Sequence, residues 1–170
     1  MKFRIPNKTG YVTMSQVVKM YRDEVAKYGK DNVTLTFGCD SQRIQRRFRF
    51  VNVIVIRRKS KGARCLYRKM YHDVKEFPGI VVRMLKETEY SLEAATEFVR
   101  SLDIDEQAQV EFKSGTSIHL DMNEDERYAS NGALKAAVGW VTGMGFHAVT
   151  KPNAIVSSTV ADRFAIGKDV

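Results

Sequence analysis

Residues 33–71 read VTLTFGCDSQRIQRRFRFVNVIVIRRKSKGARCLYRKMY, and their pattern decides the fold. Val33 to Cys39 alternates and is rich in branched and aromatic residues, which predicts a strand that stops at Asp40-Ser41. Phe48 to Ile56 predicts a second strand, Lys59 to Gly62 a turn, and Ala63 to Tyr71 a third strand. Connections this short imply an antiparallel meander.

On the N-terminal side, Val17, Val18, Met20, Tyr21, Val25 and Ala26 recur at a helical period across Met14 to Tyr28, and Gly29 ends that helix. On the other side, Pro78 opens a helical pattern that lasts to about Leu102. Thr116 to Leu120 predicts a strand that again stops at a carboxylate, Asp121. Asn131 to Thr142 predicts a helix of small residues broken at Gly143 to Gly145, with Phe146 to Thr150 as a short last strand. After Lys151-Pro152, a short helix from about Ser157 to Ile166 carries Asp162, with Ser158 or Thr159 as its cap. The order predicts an α/β fold: a mixed five-stranded sheet, three strands as a meander and the others parallel, with helices on both faces. Residues 1–170 are expected to form one domain, with a helical N-terminal extension over about residues 1–30.

No apolar run reaches the length of a membrane span, and the opening MKFRIPNK places charges where a signal peptide needs apolar residues. A cytoplasmic protein that does not engage a membrane is the expectation. Cys39 and Cys65 lie in no CxxC or Cys/His cluster, so they are expected to be two buried thiols.

Charge gives the first functional hint. The net charge is +8, and residues 43–72 hold eleven basic side chains with no Asp or Glu, leaving 17 basic against 20 acidic residues elsewhere. Such a segment is either a solvated hairpin whose charges guard against aggregation or a surface for nucleic acid. Its candidate phosphate ligands are Arg43, Arg46, Arg47, Arg49, Arg57, Arg58, Lys59 and Lys61. Arg46, Arg47 and Arg49 are expected nearest Asp40.

Asp40 and Asp121 both sit where a strand is expected to give way to a loop, and open α/β sheets bind ligands outside the carboxyl ends of their strands. Each Asp taken alone is better explained as a turn residue bonding its own backbone, and it is their order and recurrence that favour a site. Two facing carboxylates repel unless a cation lies between them, and hard oxygen donors suit Mg²⁺ or Mn²⁺.

The blocks TFGCDSQ (36–42), IHLDMN (118–123), GWVTGMGF (139–146), KPNA (151–154) and SSTVADRF (157–164), in this order, resemble the ribonuclease H-like superfamily and, within it, the YkuK-like family of predicted nucleases. The resemblance spans about residues 33–166. It implies the ribonuclease H-like fold and four acidic residues that bind two divalent ions, Mg²⁺ or Mn²⁺, to cut phosphodiester bonds. Carried over, Asp40 bridges both ions, Glu87 and Asp121 complete one site, and Asp162 completes the other.

The helix after the third strand offers Glu87, Glu89, Glu93 and Glu97. On a helical wheel, Glu87 lies about 80° from the centre of the apolar stripe formed by Ile80, Val81, Met84, Leu85, Leu92, Ala95, Phe98 and Val99, and the other three lie about 120° to 160° away. Glu87 alone borders the sheet-facing side. Its alternative is an ion pair with Arg83 one turn earlier.

The activity expected is hydrolysis of RNA, an RNA–DNA hybrid or structured DNA by in-line displacement assisted by two ions. The alternative is a binding module that keeps the fold without turnover. A nucleotide hydrolase of actin-like architecture ranks below both, because Ser41-Gln42 rather than glycine follows Asp40. Ser41, His119 and Lys151 are candidate auxiliaries. His119 shares a strand face with Asp121 and either relays a proton or is a hydrogen-bonded interior histidine. His72 and His147 offer no partner spacing, Trp140 is expected in the core, and the run Asn123 to Glu126 either crowds the site or is a solvated loop.

Overall fold

The computed structural model describes residues 1–103, 105–107, 116–125, 127, 131–161 and 164. Two short strands, β1 (Lys2–Phe3) and β2 (Val12–Thr13), pair antiparallel ahead of helix α1 (Met14–Tyr28). Thr13 caps α1 by a capping box with Gln16. Then come β3 (Val33–Ile44), β4 (Arg47–Arg58), β5 (Gly62–Asp73), α2 (Ile80–Arg100), β6 (Thr116–His119), α3 (Asn131–Gly143) and β7 (His147–Val149), closed by a π-helical segment, Val156–Ala161.

The sheet is five-stranded in the order β5-β4-β3-β6-β7. β3, β4 and β5 form the antiparallel meander, while β6 pairs parallel with β3 and β7 parallel with β6. The expected α/β architecture is present. One boundary differs in a way that matters: β3 does not stop at Asp40 but continues to Ile44, because Ser41 to Ile44 pair with Arg47 to Phe50 before the chain turns at Gln45-Arg46.

Alternation along these strands sorts the side chains. Leu35, Phe37, Ile54, Ile56, Leu66 and Ile118 face a large core closed by Val17, Val18 and Tyr21 of α1, Met84, Leu92 and Phe98 of α2, and Ala133, Ala137 and Val141 of α3. Phe98 sets its ring edge-on to both Tyr21 (5.4 Å) and Phe37 (5.9 Å), joining α1, α2 and β3. The opposite face carries Val51, Val53, Val55 and Tyr67, covered by Val156, Ala161 and Phe164. Helical segments thus lie on both faces, with the three long helices on one.

Two expectations about burial are corrected. Trp140 is 41% exposed rather than in the core, since the small residues Ala133 and Ala137 make the inner side of α3. Cys39 is buried, but Cys65 is only partly so. No helix among the described residues is long and apolar enough to cross a membrane.

Candidate active site

Gly38 of β3 pairs with His119 of β6, and two residues further along each chain stand Asp40 and Asp121. Beyond His119 the strand β6 ends while β3 runs on, so the edge of β3 next to Asp40 has no β6 strand beside it. This is a place where side chains from both faces of a sheet can approach one another.

Asp40 lies directly across from Val51 and therefore shares the face covered by the π-helical segment. Ser41, the next residue, points to the other face and donates its hydroxyl to Glu87 Oε1 at 2.5 Å. Glu87 is buried at 5% exposure. Burial first, then the charges of Asp40 and Asp121, push the Glu87 carboxyl up to about 8, against the opposite pull of the Ser41 hydroxyl and the Arg83 guanidinium. Arg83, the alternative partner, acts on Glu87 through its charge, after the Ser41 hydroxyl in weight, and its guanidinium also sits over the Phe48 ring at 5.2 Å. The other three glutamates of α2 are engaged elsewhere: Glu89 with Lys86, Glu93 with Arg68, and Glu97 with the N-terminal ammonium.

Asp121 meets a cation of the chain itself. Leu120 N donates to Val149 O and Lys151 N to Met122 O, so the strand pairing of β6 with β7 carries on irregularly past both strand ends. That extension brings Lys151 beside Asp121, with Nζ 2.7 Å from Oδ1. The oxygen is buried and lacks good hydrogen-bond geometry, so the contact is an ion pair. His119 Nδ1 accepts from Val156 N at 3.2 Å, which leaves the ring hydrogen on Nε2. Burial, reinforced by His147, lowers His119 to about 4, so it is neutral at pH 7.

Asp162 lies outside the described residues; its neighbours Ala161 and Phe164 are buried against the face that carries Asp40. No three His, Cys, Asp or Glu side chains among the described residues are close enough to hold one metal ion together. What fits a hard divalent cation is the donor chemistry: carboxylate oxygens, a Glu87 carboxyl raised by its neighbours' charges, and a buried Asp121 oxygen already turned to an ammonium. The acidic run expected near Asp121 is used within its loop. Glu124 accepts from Thr150, Asn123 from the Asp125 amide, and Asp125 pairs with Arg127, while Glu126 lies outside the described residues.

The basic segment divides by strand face. Arg47, Arg49 and Arg57 share the face of Asp40, with Arg47 and Arg49 at its end of the sheet. Arg43 alternates to the opposite side and donates to Gln45 O, and Arg46 is in the turn. Arg57, Arg58, Lys59 and Lys61 gather at the far hairpin, about 20 Å along the strands from Asp40. Arg58 does not join the others on the Asp40 face: it turns to α1, where buried Glu24 pairs with Arg64 at 3.2 Å and Arg58 at 3.7 Å. Lys2, Arg4, Lys69 and Tyr71 stand near Arg49 on one cleft, a grouping that depends on strand pairing across the molecule. His72 has partners after all, Tyr90 and Glu76, the latter four residues on.

None of the curated proteins and none of the solved structures compared with the chain matches it. Among protein families, residues 16–166 match Ribonuclease H-like, a span that takes in α1 from its third residue, the whole five-stranded sheet and the π-helical segment. Membership points to a nuclease or nucleic-acid-binding function. With the sheet order, the mixed pairing and the match agreeing, the chain belongs to the Ribonuclease H-like family.

Proposed function

We propose that the protein is a metal-dependent nuclease that hydrolyses phosphodiester bonds in RNA, an RNA–DNA hybrid or structured nucleic acid. The observation that supports this reading is the buried Glu87, hydrogen-bonded to Ser41 next to Asp40 on the open edge of β3, whose carboxyl is raised by the charges of both Asp40 and Asp121. Asp40, Glu87 and Asp121 would hold Mg²⁺ or Mn²⁺, joined by Asp162 on the family resemblance. The chemistry two such ions supply when bound is activation of a water and neutralisation of the leaving 3′ oxygen.

The chain's own residues do the positioning. Ser41 fixes one oxygen of Glu87, and Lys151 fixes Oδ1 of Asp121. The Nε2–H of His119, the last residue of β6, is a donor two residues before Asp121. Arg47 and Arg49 would carry the phosphate backbone past Asp40 without reading bases, which predicts weak sequence preference.

A specific observation favours a second reading, a binding module without turnover: the Lys151 ammonium already neutralises Asp121. Cleavage of labelled single strands, duplex DNA, duplex RNA and an RNA–DNA hybrid in Mg²⁺, Mn²⁺ or EDTA decides between them. The nuclease reading expects cutting by the parent with metal and none by Asp40→Asn. Binding across the panel with no cutting in either metal selects the module.

A further inference from the structure

Just after β1, Arg4 makes an isolated antiparallel bridge to Tyr67 on the edge strand β5. Arg4 N donates to Tyr67 O at 2.7 Å, and Tyr67 N donates back to Arg4 O at 3.0 Å. Phe3 is wholly buried in the main core, so Lys2 and Arg4, its neighbours along the strand, turn to the opposite face. That is the face of Asp40. Across it run two rows of directly paired residues, Asp40–Val51–Lys69 and Gln42–Arg49–Tyr71. Where these rows meet the N-terminal residues there is a cleft of about 340 Å³. Among the described residues its lining on this face brings together four cationic residues, Lys2, Arg4, Arg49 and Lys69, and three tyrosines, Tyr11, Tyr67 and Tyr71.

The tyrosines differ in what they can offer. Tyr67 is buried with one ring face stacked on Phe164 at 4.4 Å. Tyr11 and Tyr71 are 60% and 53% exposed, and Arg4 braces Tyr11 by a hydrogen bond to its hydroxyl at 2.8 Å. Aromatic platforms set among cations take a base on the ring and a phosphate on the charges. A base inside a duplex has both faces covered by its neighbours, so these rings can serve only an unstacked one. Lys69 lies two strands from Asp40, about 10 Å, or roughly three residues of a stacked strand.

We infer that this cleft holds one unstacked nucleotide of a single strand, with its base on Tyr71 and Tyr11 and its phosphate among Lys2, Arg4, Arg49 and Lys69. The strand then runs along the sheet face to Asp40. The inference deepens the nuclease reading and rests on it for the strand's direction; it makes single-stranded segments, free or at a duplex end, the preferred substrate.

The test is binding in EDTA, with the full chain, of a labelled single strand of about ten nucleotides and a blunt duplex of the same length. The single strand should bind the parent about tenfold more tightly than the duplex. Tyr71→Ala should weaken single-strand binding by roughly 5- to 100-fold, the range of one base–aromatic stack, and Tyr71→Phe should restore most of it. Lys19→Ala removes an equal charge to that of a cleft lysine from the exposed side of α1 and should leave binding within about twofold. Equal or tighter binding of the blunt duplex, or a Tyr71→Ala variant no weaker than Lys19→Ala, overturns the inference. Because no metal is present, a protein that binds strands through Tyr71 but cuts nothing refutes only the nuclease, and one that cuts but ignores Tyr71 refutes only the cleft.

Discussion

Glu87 carries its carboxyl into a buried position against the Ser41 hydroxyl, where the charges of Asp40 and Asp121 add to the effect of burial, and the consequence is a fold that resists its ionisation. An acid raised from 4.5 to about 8 binds its proton more readily in the folded than in the unfolded chain. Its contribution to stability is therefore fully present below the unfolded value of 4.5 and is lost as pH rises through about 8. Urea unfolding in EDTA at pH 5 and pH 9 measures this. Parent stability should fall relative to Glu87→Gln by an amount on the order of 4 kcal/mol between those pH values, since the amide keeps an oxygen for Ser41 without a charge. A constant difference between parent and variant would mean that Glu87 is already ionised at pH 5. Glu87 was legible in the sequence because the period of apolar residues on α2 placed it alone beside the buried stripe. The partnership of Lys151 with Asp121 follows from an irregular extension of β6 and β7, which no local pattern encodes.

At the level of elements, α2 shows both the strength of periodicity and its limit. The period identifies Phe98, which is wholly buried between Tyr21 and Phe37, but it also assigns Ile80 to the same stripe, and Ile80 is 37% exposed. All three apolar residues of its first turn, Ile80, Val81 and Val82, are more than a third exposed, so the inward phase there meets little packing. Phe98→Ala should cost about 3–5 kcal/mol in a denaturant titration, and Ile80→Ala less than about 1 kcal/mol. Comparable losses would mean that the first turn is packed as tightly as the last. The length of β3 was hidden for a different reason. Ser41, Gln42 and Arg43 look like the start of a loop, and the turn at Gln45-Arg46 lacks the Asn-Gly signal that marks hairpins, although Gln45 adopts a left-handed φ of 53°. Ladder pairing with β4 determines the strand, and it puts Asp40 inside the sheet rather than at its end.

Across the whole molecule, the cations not turned to the helices form two groups at opposite ends of the meander rather than a single patch. Arg47, Arg49 and Lys69 stand near Asp40, whereas Arg57, Lys59 and Lys61 lie at the opposite hairpin. The sequence showed the excess as one run because the meander folds 43–72 back on itself, separating residues adjacent in the chain by the length of a strand. If both groups hold the same strand of nucleic acid, it must cover about 20 Å, roughly six or seven stacked nucleotides. The double variant Lys59→Ala/Lys61→Ala should therefore leave binding of a strand of about four nucleotides unchanged. Its effect should appear only for strands of about eight or more, where removal of two phosphate contacts lowers the magnitude of the salt slope by about 1.4. An equal loss for the short strand would show that the far hairpin acts through the general field of a protein charged +8. No loss for the long strand would confine the path to the end of the sheet that carries Asp40, with the far lysines serving only to keep that hairpin solvated.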